Sequence, residues 1–460
     1  MRYNHIKMEL KLPEFVLLLI QKLTSAGFEI YIVGGAVRDS LMDREVKDWD
    51  FTTSATPNQI LAVFPDAFYN NKFGTVSVVD KNKKAYEITT FRREIGYSDK
   101  RHPDKVVWGQ TLEEDLGRRD FTINAIALKP EKVSTLLLFR SFTLIDPFDG
   151  QTDLKAKLIR AVGDPQKRFS EDALRMIRAI RIATEIGFTI EEETFRAIKN
   201  NTSLINKIAK ERVRDELWRI LGTNFPADGF NLLLSSGLLA EIMPELTRGY
   251  GLAQARHHIY DVWTHSLLSL KNCPSSDPLV RLATLIHDIG KPVVAKGEGE
   301  QRTFYNHEMV SASIARNIAQ RLHLSKKQRE KLIILVRWHQ FTCDERQTDS
   351  AIRRFIRNVG KENLKDMLAL RVGDRLGGGA KETSWRLEKF KKRLIEVQKQ
   401  PFSVTDLKVN GNDVMKILGI PSGPKVGQIL NQLFAEVETN KTKNKREPLL
   451  KRIKEINKTL

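Results

Sequence analysis

The chain has 460 residues, more than one hydrophobic core usually serves, so we expect several domains. Hydrophobic residues make up 41% of it and charged residues 29%, which is the ordinary range for a globular protein. The 76 Lys and Arg residues outnumber the 57 Asp and Glu residues and give a net charge of +19. This excess predicts a polyanionic partner, RNA or DNA first, with a merely basic soluble protein as the alternative.

The cysteines and the N-terminal residues indicate in which cellular compartment the protein is expected. Cys273 and Cys343 lie far apart in the sequence and in no Cys-x-x-Cys pair, so we expect neither a disulfide framework nor a structural zinc site. A reducing, cytoplasmic location fits this pattern. The apolar stretch at 15–20 is short and runs into polar residues, which predicts an amphipathic helix rather than a signal peptide or membrane span.

Strand and helix signals alternate over the first third of the chain. Strands are predicted at 28–33, 50–53, 75–79, 85–91 and 121–128, and the third and fourth of these form a hairpin around a polar turn. From Gln166 onward helical spacing prevails and strand signals nearly vanish. The predicted fold class is α+β, with an N-terminal head built on a mixed sheet and an all-α remainder.

The first informative motif joins a predicted strand to a predicted helix at Gly34 and Gly35. Glycines allow the backbone to approach a phosphate closely, and a helix N-terminus offers free N–H groups. Arg38 follows on the same helix and adds a fork-shaped donor. Together these residues predict a binding turn for a triphosphate, although a simple tight turn would explain the glycines alone.

A pair of carboxylates follows this turn. Asp48 and Asp50 alternate along the second predicted strand, so both side chains emerge on one face. They repel one another unless a cation lies between them, and Mg²⁺ is the obvious candidate because it prefers oxygen ligands. A two-metal site usually needs a third carboxylate, for which Glu87 is our candidate. The combination with the glycine turn favours a catalytic metal site over a solvated strand end.

These motifs resemble a known family. Residues 34–50 look like the head-domain signature of the polymerase-beta superfamily, and more narrowly that of class II tRNA nucleotidyltransferases and bacterial poly(A) polymerases. Residues 114–125 are similar to that family's Arg-Arg-Asp-Phe-Thr-x-Asn-Ala motif. The resemblance implies that Arg119 and Asp120 contact the phosphate and ribose of the incoming nucleotide, and that Asn124 supports them.

Asp172 and Arg175 lie three residues apart, on a helix predicted to begin after Ser170. A surface ion pair is the commonest outcome of this spacing. However, Asp accepts and Arg donates hydrogen bonds, so the pair complements the amino group and ring nitrogen of cytosine and adenine and rejects guanine and uracil. The segment resembles the family's Glu-Asp-x-x-Arg motif, which implies that this pair selects CTP and ATP and that Arg178 lines the pocket.

Two further segments resemble parts of the family. Residues 211–217 resemble a motif that stiffens the helices following the head. Residues 97–103 are polar and are similar to the flexible loop that full CCA-adding enzymes use when they switch from C to A. The presence of this loop argues against an enzyme that adds only CC, but it does not separate CCA addition from A addition alone.

A second set of possible metal ligands is spread over the helical part and consists of His265, His287, Asp288, His307, His339 and Asp374. Imidazole and carboxylate ligands together suit a divalent Mn, Ni, Co, Fe or Mg ion. The order of these residues resembles the HD phosphohydrolase superfamily, which implies phosphatase or 2′,3′-cyclic phosphodiesterase activity. A degenerate HD fold that only binds the tRNA elbow is the alternative.

The resemblance implies a polymerase-beta-like nucleotidyltransferase head at 1–150, a helical neck at 151–225, a body with an HD domain at 226–385 and a basic, tRNA-binding tail at 386–460. It implies template-independent addition of CCA to the 3′ end of tRNA from CTP and ATP, with two Mg²⁺ ions and release of pyrophosphate. The acceptor stem and elbow of the tRNA are the expected contacts, and no membrane partner is expected.

Three alternatives stay open at this point. The nearest is an A-adding enzyme or a poly(A) polymerase, because the head motifs are shared. The second is an HD-type nucleotide phosphohydrolase with a vestigial head, against which Asp48 and Asp50 argue. The third is an RNA-binding protein without catalysis. The oligomeric state is not predicted.

Overall fold

The computed structural model describes residues 3–6, 10, 12–69, 74–95, 105–108, 111–131, 142–254, 259–341, 344, 346–398, 404–438 and 441–456. It divides into two units, one of Met1–Arg248 with Arg321–His323 and one of Gly249–Gln320 with Leu324–Leu460. Within the described ranges, no helix is both long and apolar enough to cross a membrane. The predicted flexible loop at 97–103 lies outside the described residues.

The strands all lie in the first unit and are β1 (Tyr3–Ile6), β2 (Ile30–Val33), β3 (Asp50–Thr53), β4 (Phe68–Tyr69), β5 (Thr75–Val79), β6 (Ala85–Thr90), β7 (Arg92–Ile95), β8 (Lys105–Trp108), β9 (Ala127–Pro130), β10 (Phe142–Ile145), β11 (Leu158–Ile159) and β12 (Thr189–Ile190), as far as the chain is described. Eight of them form one mixed sheet in the order β1-β10-β9-β2-β3-β6-β5-β4. In it β3 and β6 run parallel, and β2 is antiparallel to both β3 and β9.

The helices of the first unit are α1 (Glu14–Ser25), α2 (Gly35–Leu41), α3 (Pro57–Val63), α4 (Leu112–Gly117), α5 (Gly150–Ala156), α6 (Pro165–Glu171), α7 (Leu174–Ile186), α8 (Glu192–Asn201), α9 (Lys210–Gly222), α10 (Pro226–Ser236), α11 (Leu238–Ile242) and α12 (Pro244–Thr247). Those that follow are α13 (Val262–Lys271), α14 (Pro278–Ile286), α15 (Lys291–Val294), α16 (His307–Arg321), α17 (Lys326–Trp338), α18 (Asp349–Val359), α19 (Leu364–Gly377), α20 (Trp385–Val397), α21 (Gly411–Leu418), α22 (Pro424–Glu438) and α23 (Arg446–Ile456). The predicted α+β class, with a mixed-sheet head and a helical remainder, is confirmed.

The sheet has two different faces. Ile32, Phe51 and Ile88 point to one face, where they pack with the apolar side of α1 in a fully buried core. The opposite face carries Asp50 and Glu87, which are exposed, because successive residues of a strand point to opposite sides. The sheet therefore fixes the carboxylates on a solvent-accessible surface and buries their neighbours.

One strand prediction is wrong at its start. Within the predicted strand at 121–128, Thr122–Asn124 form a 3₁₀ turn and β9 begins only at Ala127. The hydroxyl of Thr122 donates to the buried carboxylate of Asp153 at 2.6 Å. The backbone N–H groups of Asn124 and Ala125 donate to the carbonyls of Phe121 and Thr122, so these groups form a turn in place of strand pairing.

A buried ion pair joins two helices that follow the head. The Nε of Arg181 on α7 lies 2.6 Å from the carboxylate of Glu216 on α9, and both side chains are nearly inaccessible. Arg181 also pairs with Glu185 at 2.7 Å, but the Glu185 side chain is 29% exposed. The segment 211–217 lies within α9, and its proposed stiffening role stays a prediction, as does the division of the chain into four domains.

Replacing Glu216 by alanine is expected to lower the free energy of unfolding by about 3 kcal/mol, because it leaves the charge of Arg181 buried without its main partner. Glu185→Ala is the matched control, since it removes an exposed partner of the same arginine and should cost less than about 1 kcal/mol. Thermal unfolding of both variants would measure this. Equal losses in the two variants would contradict the importance that we give to burial.

Candidate active site and candidate metal centre

Sheet register brings two of the predicted carboxylates together. Asp50 on β3 is directly paired with Glu87 on β6, and with Val33 of β2 on its other side. Directly paired residues point to the same face of a sheet, at a strand spacing of roughly 4.8 Å. Asp50 and Glu87 are therefore neighbours on adjacent strands, although they are 37 positions apart in the sequence.

Asp48 lies just outside β3, which begins at Asp50, so the expectation that both aspartates lie on the strand is wrong. The alternation nevertheless continues through this segment. Asp48 and Asp50 are exposed, whereas Trp49 between them is buried in the core of the sheet. Burial of the Trp49 side chain thus turns both carboxylates away from the core.

The electrostatics of this group fit a divalent cation. Loss of surrounding water, and then the charges of Asp50 and Asp48, raise the pKa of Glu87. Loss of water also raises the pKa of Asp50, an effect that Arg119 opposes and Asp48 reinforces. Carboxylates that repel one another in this way are stabilised by a shared cation. The donor set of Asp48, Asp50 and Glu87 is therefore suited to a metal that prefers oxygen ligands.

Gly34 lies in close contact with this group. Its φ is +72°, in the region that favours glycine, and it joins the end of β2 to α2. A methyl group at this position would lie 3.3 Å from the Asp50 carboxylate and 3.3 Å from the Arg119 guanidinium. The turn at Gly34 is thus packed closely against the Asp50 carboxylate and the Arg119 guanidinium. Gly35 begins α2, a helix of seven residues.

Polar side chains from three segments form one connected set beside the turn. The Nη1 of Arg38 donates to the Oδ1 of Asn124 at 3.1 Å, and the Nδ2 of Asn124 donates to Asp120 at 3.3 Å. Arg178 on α7 donates two hydrogen bonds to the other carboxylate oxygen of Asp120, at 2.9 and 2.6 Å. The structure therefore brings together four residues that the sequence predicted to bind the nucleotide.

Asp120 stays ionised within this set. Burial alone would raise the pKa of its carboxyl group, but the charge and hydrogen bonds of Arg178 outweigh burial and hold that pKa well below its usual range. Arg119, the preceding residue, donates to Asp115 at 3.3 Å. Asp115 is fully buried and accepts two further bonds from Arg118. These bonds fix the segment from which Arg119 reaches Gly34.

The structure does not pair Asp172 with Arg175. Asp172 has an extended backbone and separates α6 from α7, so the predicted helix start after Ser170 is wrong. The Oδ1 of Asp172 accepts the backbone N–H of Leu174 at 3.0 Å. Such a bond from an aspartate side chain to the backbone two residues on competes with a continuous helix, which explains why the break occurs here.

Arg175 is held by acceptors other than Asp172. Its Nη1 donates to the carboxylate of Glu171 at 2.9 Å and to the carbonyl of Arg168 at 3.2 Å, and its Nη2 donates to the carbonyl of Arg118 at 3.0 Å. Glu171, which holds Arg175, and Asp115, which holds Arg119, were not predicted from the sequence. The available signal was an acidic residue four positions before an arginine, a spacing that predicts a pair on one helix, although in the structure a helix ends between the two members of each pair.

The second predicted cluster converges in the part of the chain that begins at Gly249. His265, His287 and Asp288 have ligand atoms within 4.8 Å of one another, and so do Asp288, His307 and His339. The Oδ1 of Asp374 lies 3.3 Å from the Nε2 of His265. Two groups of candidate ligands thus share Asp288, whose two oxygens face different histidines.

Backbone carbonyls orient three of these histidines. The Nδ1 atoms of His287, His307 and His339 lie 2.7, 2.9 and 2.7 Å from the carbonyl oxygens of Thr284, Phe304 and Val336, respectively. A carbonyl can only accept, so each Nδ1 carries a proton and each Nε2 is the ring nitrogen that faces the cluster, where a bound metal would replace any proton on it. This is the arrangement that fixes histidine ligands around metals in proteins.

The cluster attracts positive charge. Burial alone would lower the pKa of His287, but the carboxylates of Asp288 and Asp374 raise it to about 10. Lys291 is also buried, with its Nζ 2.6 Å from Asp288 and 2.6 Å from the side-chain oxygen of Gln254. Neither Lys291 nor Gln254 was predicted from the sequence, although Lys291 follows Asp288 by one helical turn. The donor set fits a divalent ion bound by nitrogen and oxygen ligands.

Comparison with known proteins assigns the family. The Poly A polymerase head domain matches residues 30–160, the "Probable RNA and SrmB- binding site of polymerase A" matches 187–249, and the tRNA nucleotidyltransferase domain 2 matches 304–453. A CCA-adding enzyme of Pediococcus pentosaceus is 31% identical over 450 residues, which cover 96% of this chain and 97% of that protein. The chain belongs to the family of CCA-adding enzymes.

Further relatives agree with this assignment. The CCA-adding enzyme of Geobacillus stearothermophilus is 33% identical over 443 residues, or 96% of each chain. The crystal structure of the Bacillus stearothermophilus CCA-adding enzyme in complex with CTP has a TM-score of 0.70 at 31% identity, with coverage of 96% of this chain and 97% of that one. The family assignment made from the head motifs is confirmed. CCA-adding enzymes are nucleotidyltransferases, which use divalent metal ions, whereas the HD assignment stays a prediction.

Gly34→Ala is expected to lower the rate of nucleotide addition at least about tenfold, because the methyl group would lie 3.3 Å from both the Asp50 carboxylate and the Arg119 guanidinium and would shift these groups by a few tenths of an ångström. Gly163→Ala is the matched control, since Gly163 has a similar φ of +68° but no atoms within 4 Å of the added methyl group. Steady-state kinetics and thermal unfolding of both variants would test this. A Gly34 variant as active as the Gly163 variant would contradict it.

Proposed function

We propose that this protein adds CCA to the 3′ end of tRNA from CTP and ATP without a nucleic-acid template. The observation that carries the proposal is the pairing of Asp50 with Glu87 beside a glycine turn and Arg119, in a chain of the CCA-adding family. The net charge of +19 suits an RNA substrate. A cytoplasmic location, where tRNA is matured, belongs to the same proposal.

The reaction is a phosphoryl transfer. The 3′-oxygen of the RNA attacks the α-phosphorus of the nucleotide, the bond to the bridging oxygen breaks, and pyrophosphate leaves. Asp48, Asp50 and Glu87 would hold Mg²⁺, which lowers the pKa of the attacking hydroxyl and stabilises the leaving group. Arg38 and Arg119 bind the triphosphate, while the ionised Asp120 is held by Arg178 to accept a hydrogen bond from the ribose.

Base selection is assigned to Asp172 and Arg175. The Oδ1 of Asp172 accepts the backbone N–H of Leu174. Its Oδ2, which lies 3.6 Å from the Nη2 of Arg212, is left to accept a hydrogen bond from the amino group of the base. Arg175 is almost fully buried and held at three points, so it can donate to a ring nitrogen without losing much freedom. Guanine and uracil would leave these groups unpaired, which is costly in a buried site.

Primer extension on tRNA that lacks its CCA end, with CTP and ATP separately and together, tests the proposal. Two C residues with CTP alone, and a stop after one A with both nucleotides, are expected. Asp48→Ala and Asp50→Asn should abolish addition and leave tRNA binding intact, with Asp66→Asn as an exposed control in the same unit. Addition of A alone, or a long A ladder, would instead identify an A-adding enzyme or a poly(A) polymerase.

We propose a second activity for the cluster around Asp288, the metal-dependent hydrolysis of phosphate esters. Its support is the convergence of four histidines and two aspartates, three of the histidines being oriented by backbone carbonyls. These residues would hold one or two divalent ions, which activate water for attack on phosphorus. Lys291 contacts the Oδ2 of Asp288, whereas His307 faces the Oδ1, and the side-chain oxygen of Gln254 accepts a hydrogen bond from Lys291.

Hydrolysis of 2′,3′-cyclic nucleotides and of p-nitrophenyl phosphate, with Mn, Ni, Co, Fe or Mg after chelation, tests the second activity. Asp288→Asn should abolish hydrolysis because it removes the shared ligand, and it should leave CCA addition unchanged. Asp50→Asn is the reciprocal control, which should lose addition and keep hydrolysis. An absence of hydrolysis with every metal would favour a degenerate cluster.

A further inference from the structure

A row of side chains crosses the exposed face of the sheet and continues beyond the carboxylates. Asp50 is paired with Glu87, Glu87 with Ser77 on β5, and Ser77 with Phe68 on the edge strand β4. Because directly paired residues point to the same face, Phe68 lies on the same surface as Asp50 and Glu87. At about 4.8 Å per strand, Phe68 is roughly 10 Å from Glu87.

Phe68 is unusually exposed for a phenylalanine. Its side chain is 64% accessible on a surface that also carries the exposed Glu87 and the half-buried Ser77. The next residue, Tyr69, pairs with the fully buried Val76 and therefore points to the opposite face. Val76 is buried because it packs in the core of the sheet, whereas the ring of Phe68 does not pack in that core.

The groups that hold the nucleotide lie on the other side of the carboxylates. Gly34, at the end of β2, lies beside both Arg119 and Asp50, whereas Glu87, Ser77 and Phe68 follow on the side of β6. In phosphoryl transfer the attacking and leaving oxygens are roughly in line. The RNA 3′-oxygen must therefore approach from the side opposite the pyrophosphate, which is the side of β6, β5 and β4.

Positive charge accompanies this side. The turn between β5 and β6 contains Lys81, Lys83 and Lys84, and all three are exposed. The pair formed by Val79 and Ala85 begins this turn and is the next pair on the same face after Ser77 and Glu87. The lysines thus lie at the end of the sheet that carries the carboxylates, where they can meet the phosphates of an RNA strand.

We propose that Phe68 stacks on a base near the 3′ end of the RNA that is being extended, while the turn at 80–84 contacts its phosphates. The inference rests on the proposed nucleotidyl transfer, for which Phe68 is a positioning residue. Aromatic side chains bind unpaired bases in this way because every base has a stacking face, and the terminal nucleotides of a growing tRNA end are single-stranded. Stacking on the ring of Phe68 does not depend on which base is bound, which suits an RNA 3′ end whose last base changes with each addition.

Steady-state kinetics of C addition would separate this role from a structural one. Phe68→Ala is expected to raise the KM for tRNA by about five- to 150-fold, the range for loss of one stacked base, and to leave the KM for CTP unchanged. Phe68→Trp should restore the KM for tRNA. Tyr69→Ala is the matched control, because it removes an adjacent aromatic ring from the opposite face and should change neither constant more than about twofold.

A direct readout does not depend on catalysis. RNA with 2-aminopurine at its last or second-last 3′ position should lose fluorescence on binding to the unaltered protein and to Tyr69→Ala, but not to Phe68→Ala. In the double variant Lys81→Ala/Lys83→Ala, the dependence of tRNA affinity on salt should become shallower, by about 0.7 in slope for each lost contact with single-stranded phosphate.

The outcomes separate this inference from the proposed function. Normal nucleotide addition with an unchanged KM for tRNA in Phe68→Ala, or equal effects of Phe68→Ala and Tyr69→Ala, would overturn the stacking role alone. Quenching that requires Phe68, in a protein that adds no nucleotide, would support the stacking role and overturn the proposed function.

Discussion

The ion pair between Asp120 and Arg178 is the interaction on which the candidate active site depends. It joins a turn beside the sheet to α7, and through Asn124 it reaches Arg38 on α2. Asp120 is buried, and its charge is tolerated because two hydrogen bonds from the Arg178 guanidinium, with those from Asn124 and the N–H of Phe121, compensate for the lost water. Removing Arg178 would leave the charge of Asp120 buried without its main partner and would free the residues proposed to bind the nucleotide from their common frame.

Opposed charges organise the same surface on a larger scale. Burial and then the charges of Asp50 and Asp48 raise the pKa of Glu87 on one side of Gly34, whereas Arg119 and Arg38 lie on the other. The carboxylates therefore favour a cation and the arginines favour the anionic triphosphate, and Gly34 keeps the two regions in contact because it has no side chain. The exposed face of the sheet supplies this separation, since β3 and β6 fix the carboxylates and the segments beside β2 fix the cations.

The sequence predicted the residue types better than their local geometry. The strand with Asp50, the hairpin with Glu87 and the glycine turn were predictable, because strand periodicity and turn residues act over a few positions. The register that pairs Asp50 with Glu87 was not, since it depends on contacts between distant segments. The break at Asp172 was also missed. A single helix that continues through Asp172 and two helices that meet there have the same side-chain spacing in the sequence, and only the bond from the Asp172 side chain to the N–H of Leu174 distinguishes them.

The hydrogen bonds of Arg175 have a consequence for base selection. Nη1 contacts the Glu171 carboxylate and one carbonyl, and Nη2 contacts the carbonyl of Arg118. The guanidinium is therefore held in one orientation before any nucleotide binds, and few of its donors are left to meet a base. A fixed, desolvated donor discriminates strongly, because a base without the matching acceptor leaves it unpaired. The carbonyl of Arg118 precedes Arg119 in the chain, so the arginine proposed to bind the triphosphate and the arginine proposed to read the base are positioned by the same backbone segment.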